Sequence, residues 1–181
     1  MNNYFISADF KNLIDGTLSP NRSPILRIKS GDTVTVETVS MIGVEGRFED
    51  YLEKNGYQVK DNPLFEKIIA SQELVPPLAH SHTLTGPIYI EDAKAGDVLE
   101  LHIDDIKLTT PFANARVRPG AGGLPDMVTS VQYFMAKFNE TRTHADFIGE
   151  SLPLNPFFGI MGNAPTELAP SGPPQFCGGN L

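Results

Sequence analysis

At 181 residues the chain has room for one ordinary domain or two small ones, and its 40% hydrophobic content is enough for a core. The net charge of −8, spread rather than blocked, repels polyanions, so neither nucleic acid nor an anionic membrane is an expected partner. One cysteine, Cys177, leaves no intrachain disulfide, and neither a charged-then-apolar leader nor a run of membrane-spanning length is present, so a soluble cytoplasmic protein is expected.

Glycine (16) and proline (15) are frequent, which points to many short elements joined by turns. Tyr4, Phe5, Ile6 and Ala8 alternate loosely and fit an edge strand, and Asp15-Gly16, Ser19-Pro20 and Ser23-Pro24 then punctuate a turn-rich connection. Leu26-Arg27-Ile28, a Ser30-Gly31-Asp32 turn and the alternation over 33–39 predict a β-hairpin. Residues 46–75 read as a helical insertion on the surface. In it, Phe48, Tyr51 and Leu52 stand near helical spacing, Gly56 caps the end, and Asp61-Asn62-Pro63 starts a second helix carrying Leu64, Phe65, Ile68 and Ile69.

The β pattern returns over 80–90. K-A-G-D-V-L-E-L-H (94–102) then echoes K-S-G-D-T-V-T-V-E (29–37), with the glycine supplying positive φ and the aspartate bonding back onto the turn. Recurring hairpins of one kind predict a mainly β fold, barrel- or sandwich-like. Residues 115–126 form a glycine-rich loop, 130–136 fits a strand at least as well as a helix, and 141–148 reads as a polar connector containing His144. In the closing stretch 155–181, Gly159 and Gly162 interleave with Phe157, Phe158, Ile160 and Met161, a pattern suited to backbone passing close to a strand or ligand.

Few residues form a set that carries chemistry. His80 and His82, two apart at a strand entry, share a face and fit two ligands of a zinc-like ion, or else a polar strand end. His102 reads as a solvated strand position. Asp104 and Asp105 face opposite ways on a strand and cannot clamp one proton or metal, while Glu37 and Glu100 occupy equivalent hairpin places and read as structural. Cys177 has no histidine near it in sequence to activate it. Gly120-Ala121-Gly122-Gly123 has neither the Lys-Ser/Thr nor the spacing of a nucleotide loop.

Five segments stand in the order seen in the acetamidase/formamidase family: 24–38, L-T-G-P-I-Y-I-E-D-A-K-A-G-D-V-L-E (84–100), P-G-A-G-G-L-P-D (119–126), F-F-G-I-M-G-N-A-P (157–165) and G-P-P-Q-F-C-G-G-N-L (172–181). The chain resembles that family from about residue 20 to its last residue. The resemblance implies a mainly β amidohydrolase acting on small amides such as formamide or acetamide. It further implies assistance by a divalent metal, commonly zinc, and water attack on a polarised carbonyl with loss of ammonia. Asn180 matches the Asn of the family's G-G-N-x-D turn and is the first candidate catalytic residue. Gly159, Gly162, Gly178 and Gly179 are candidates for bringing backbone N–H groups to the substrate. Where the family continues with an Asp and a long segment containing G-D-x-H-A-x-Q-G-D-G-E, this chain does not. Residues 1–181 are therefore expected to be the N-terminal portion of an amidase, forming homo-oligomers or associating with a C-terminal half. The alternative is a non-catalytic β domain that binds a small ligand or a partner chain.

Overall fold

The computed structural model describes residues 1–14, 18–39, 46–72 and 83–165. The described chain is mainly β, with ten strands and two helices in four small sheets that do not close into a barrel. It divides into two compact units: the described residues within 1–49, 58–101 and 159–165 form the first, and 50–57 with 102–158 the second.

In the first unit, β1 (Asn3–Ile6) pairs in parallel with β4 (Thr33–Val36), and β3 (Leu26–Ile28) in parallel with β6 (Ile88–Ile90). β2 (Leu13–Ile14), entered through a single 3-10 turn at Phe10–Asn12, pairs antiparallel with β5 (Leu84–Thr85). The strands and the turn of the expected first hairpin are present, but β3 and β4 do not pair with each other. The turn explains why. Asp32 N–H donates to Lys29 O at 3.1 Å, and positive φ falls only on Gly31 (+88°), the third of the four residues, as in a type II turn. Type II twist splays the flanking strands, whereas a two-residue hairpin needs positive φ earlier in the turn. The Lys29 N–H is moreover taken by Asp32 Oδ2 at 3.0 Å instead of by a carbonyl across a hairpin.

The second Lys-x-Gly-Asp repeats that geometry: Asp97 N–H donates to Lys94 O at 3.0 Å, Lys94 N–H to Asp97 Oδ2 at 2.8 Å, and Gly96 has φ +98°. The sequence echo is thus an echo of turns. The strand expected after it is not formed among the described residues, and Val98, Leu99 and Leu101 are exposed there.

The end of the first helix and the start of the second are as the sequence predicts; the expected stop of the second at Pro76-Pro77 lies outside the described residues. α1 (Phe48–Lys54) closes in a Schellman motif, with Gly56 at φ +88°, Gly56 N–H donating to Glu53 O at 2.9 Å and Tyr57 N–H to Leu52 O at 3.0 Å. α2 (Pro63–Gln72) starts with Pro63 after Asn62, whose Oδ1 accepts from Leu64 N–H (3.2 Å) and Phe65 N–H (3.4 Å). The helical insertion is not a surface decoration, however. Phe48, Leu52, Val59, Phe65 and Ile68 are all buried, Leu52 completely, so the insertion supplies core. Its many charges mark only the solvent side of amphipathic helices.

The second unit is a four-stranded antiparallel sheet in the order β10 (Glu150–Pro153), β9 (His144–Phe147), β8 (Gln132–Phe138), β7 (Phe112–Val117). The open choice over 130–136 resolves to strand. The expected polar connector is β9, which its short, half-polar run concealed. Asn139 folds the loop before it, its Oδ1 accepting from Thr143 N–H (2.9 Å) and His144 N–H (3.1 Å). One sheet face holds Phe112, Asn114 and Tyr133. Tyr57 packs on Phe112 with centroids 4.9 Å apart, and Tyr51 meets Tyr133 edge-on at 6.2 Å. The register places Ala115, Phe134, Ala136, Phe138, Ala145 and Leu152 on the other face, where Phe134 meets Phe147 edge-on at 6.2 Å.

Ile148 and Gly149 connect β9 to β10 with φ of +56° and +83°, the pattern of a type I′ turn. A β-branched residue in left-handed backbone is strained by about 1 kcal/mol or more. Ile148→Asn is therefore expected to raise the melting temperature by roughly 2–4 °C, measured by circular dichroism; an unchanged or lower value would contradict the strain.

Candidate functional site

Of the residues singled out in the sequence, His80, His82, Cys177, Gly178, Gly179 and Asn180 lie outside the described residues. Gly159 is exposed, and a Cβ there would meet nothing within 4 Å. A Cβ on Gly162 would lie 2.8 Å from Leu18 Cδ1, so the close approach at this glycine is to a leucine side chain. Asp104, Asp105 and His102 are exposed, and Asp105 pairs with Lys107 at 3.2 Å.

The densest polar cluster of the first unit centres on a residue that the sequence reading assigned a structural role, Glu37. Pairing with β1 carries one residue past β4, Glu37 N–H donating to Ile6 O at 2.9 Å, and this sets the side chain beside the β1 exit. Glu37 Oε2 accepts from Ala8 N–H at 2.9 Å and from Lys67 Nζ of α2 at 3.1 Å. Lys67 Nζ also lies 3.4 Å from Asp9 Oδ1, and Ser7 Oγ donates to Asp9 Oδ2 at 2.6 Å. Asn12 Nδ2 donates to Ser7 O at 2.9 Å, and Thr85 Oγ1 to Glu37 O at 2.8 Å. One glutamate thus joins β1, the 3-10 turn, β4, β5 and α2. Nothing in the sequence marks Lys67 as the partner of Glu37 and of Asp9, since these contacts span 30 and 58 positions.

These charges are locked. The Ala8 amide, then Lys67, hold the Glu37 carboxyl below its ordinary value, and Ser7 followed by Lys67 does the same for Asp9. The Glu37 carboxylate raises Lys67. All three are charged at neutral pH and unsuited to pass protons in a reaction. Two of the three Lys67 protons face carboxylates, which leaves one donor for a solvent or ligand oxygen.

The second unit offers a neutral pair. Tyr51 Oη donates to Asn114 Oδ1 at 2.8 Å, and burial pushes the Tyr51 phenol up, keeping it protonated. Asn114 Nδ2 is buried with no hydrogen-bond partner among the described residues, an orphaned amide donor. On the same sheet an open hollow of about 480 Å³ is lined by Lys137, His144, Asp146 and Ser151 among others. No hydrogen bond joins His144 to Asp146 or Ser151, so among the described residues these form no nucleophile–base relay; His144 Nδ1 lies 3.1 Å from Thr143 Oγ1.

Nor do the described residues include a group of three or more His, Cys, Asp or Glu able to hold a metal ion. They do not themselves fit the metal that the family resemblance implies.

Comparison places the chain. The model of the acetamidase/formamidase family matches residues 17–171, most of its length, and the chain belongs to that family. A predicted acetamidase/formamidase from the thermophile Thermoanaerobacter tengcongensis shares its fold, with a TM-score of 0.66 and 24% identity over 92% of this chain and 48% of that one. The acetamidase of Bacillus halodurans matches with a TM-score of 0.60 and 27% identity over 88% of this chain and 46% of that one. The chain therefore spans about half the length of these solved relatives. No curated protein matches it significantly.

The locked cluster has a pH signature. A carboxylate held below its ordinary value stabilises the fold fully above that value and ceases to do so as pH falls through the folded one. Raised Lys67 acts in the opposite sense, contributing below its ordinary 10.5 and failing as pH rises past the folded value. Glu37→Gln is expected to cost up to about 1 kcal/mol after solvent screening. The loss should stay constant from about pH 6 to 9 and shrink below the ordinary carboxyl value of 4.5, read as melting temperature against pH. A pH-independent difference would contradict the ionic role.

Proposed function

We propose that this chain is the N-terminal portion of an amidohydrolase that cleaves small amides such as formamide or acetamide to ammonia and a carboxylate. The observation that carries the proposal is the family match over residues 17–171. Because the chain spans about half of its solved relatives, the activity is proposed for it together with a C-terminal half, and the separate chain is expected to be inactive. Both this association and homo-oligomer formation belong to the proposal, as does a cytoplasmic location. No helix among the described residues is long and apolar enough to cross a membrane.

In the proposed reaction water attacks an amide carbonyl whose developing oxyanion is held by hydrogen-bond donors, and ammonia leaves from the tetrahedral intermediate. Asn180 is the proposed catalytic side chain, and Gly159, Gly162, Gly178 and Gly179 allow backbone N–H groups to approach the small substrate. A divalent metal such as zinc, with His80 and His82 as its first ligands, belongs to the same proposal. The described residues add no ligand cluster to that pair, and no step is assigned to the ion. A second reading, a non-catalytic β domain that binds a small ligand or partner chain, draws support from the locked Glu37 cluster and the unlinked His144 and Ser151.

Ammonia release from formamide and acetamide separates the two readings. Release is expected from the chain joined to the family's second half, with and without Zn²⁺ compared, and none from the chain alone. Asn180→Ala is expected to lower kcat by about 100-fold. No release from the joined protein would exclude the amidase reading.

A further inference from the structure

The Ile148-Gly149 turn sets a β-branched side chain in left-handed backbone and leaves it 69% exposed. Asparagine suits such a turn better, and water gains nothing from isoleucine there, so the stability of this chain alone does not account for the choice. Backbone strain that serves no local purpose points to a role in recognition. Two further apolar side chains are exposed at the rims of the same sheet: Leu152 of edge strand β10 and Val117 of edge strand β7. The register puts both on the sheet face of alternating alanine and phenylalanine, opposite the face on which Tyr51 and Tyr57 pack. The opposite face is mixed, with Asn114, Lys137, His144, Asp146 and Ser151 beside Phe112 and Tyr133, so the side that calls for a covering apolar layer is the alanine–phenylalanine one.

We infer that this alanine–phenylalanine face, with Ile148 at its tip, is the docking surface for the portion of the family fold that lies beyond the 48% and 46% of its relatives spanned by this chain. The inference rests on the reading that the enzyme is completed by a second half, and names where that half binds. Ile148 and Leu152, 69% and 46% exposed, supply apolar anchors at the border of this face.

The test titrates a polypeptide carrying the second half of the Bacillus halodurans acetamidase onto the 181-residue chain in a calorimeter. The wild type is expected to bind. Ile148→Asn and Leu152→Asp should each weaken binding about tenfold or more, while Asp146→Asn on the opposite face leaves it unchanged. Ile148→Asn is expected to melt higher than wild type, so its loss of binding would not arise from unfolding. The inference is overturned if the wild type does not bind, if both variants bind like wild type, or if Leu152→Asp instead disrupts a homodimer that excludes the second half. Tight binding without ammonia release would overturn the amidase reading and leave the surface standing.

Discussion

The first unit depends on a carboxylate that accepts a backbone amide and an ammonium through one oxygen. Its sheets are two-stranded, and such pairs are marginal in water unless something else holds them. Glu37 does so: Ala8, Lys67 and Thr85 bring the ends of three sheet strands, a 3-10 turn and a helix to one residue. The apolar side chains around this junction, Ile6, Ala8 and Leu13, are buried and supply most of the free energy. The polar contacts contribute less and determine which strand leaves in which direction.

That division of labour explains what could be read from the sequence. Local devices were legible, because each is written in neighbouring residues: the Gly56 Schellman stop, the Asn62-Pro63 helix start and the two Lys-x-Gly-Asp turns. Pairing was not. A Ser-Gly-Asp turn between alternating runs suggests a hairpin, but Gly31 takes positive φ at the position that splays strands, and the partners of β3 and β4 come from residues 88–90 and 3–6. Strand β9 was missed because its alternation, His144-Ala145-Asp146-Phe147, lasts only four residues within a largely polar stretch. The insertion read as superficial because of its many charges, although Phe48, Leu52 and Phe65 stand at helical spacing among them and form its buried side.

For the site, the family was legible and the geometry was not. Motifs such as L-T-G-P-I-Y-I-E-D-A-K-A-G-D-V-L-E carry the resemblance, and the family match over residues 17–171 agrees with it. Those motifs turn out to shape turns and short strands, which is why they identify the scaffold better than the chemistry. The functional groups proposed from them, His80, His82 and Asn180, lie outside the described residues, while Lys67, Asp9, Tyr51 and Asn114 had no sequence signal because their contacts are long-range. The second unit shows the same principle at a surface: Ile148 is unremarkable as a letter and becomes informative only through its backbone angle and exposure.

Hydrogen exchange at single amides measures the central claim, that Glu37 ties the first unit together, without relying on global melting. In Glu37→Gln, exchange is expected to quicken together at Ala8, which donates to Glu37, and at Gly86, which donates to Asn12 O, while the β8–β9 amides of the second unit keep their wild-type rates. Faster exchange confined to Ala8, or unchanged exchange at both, would contradict that role.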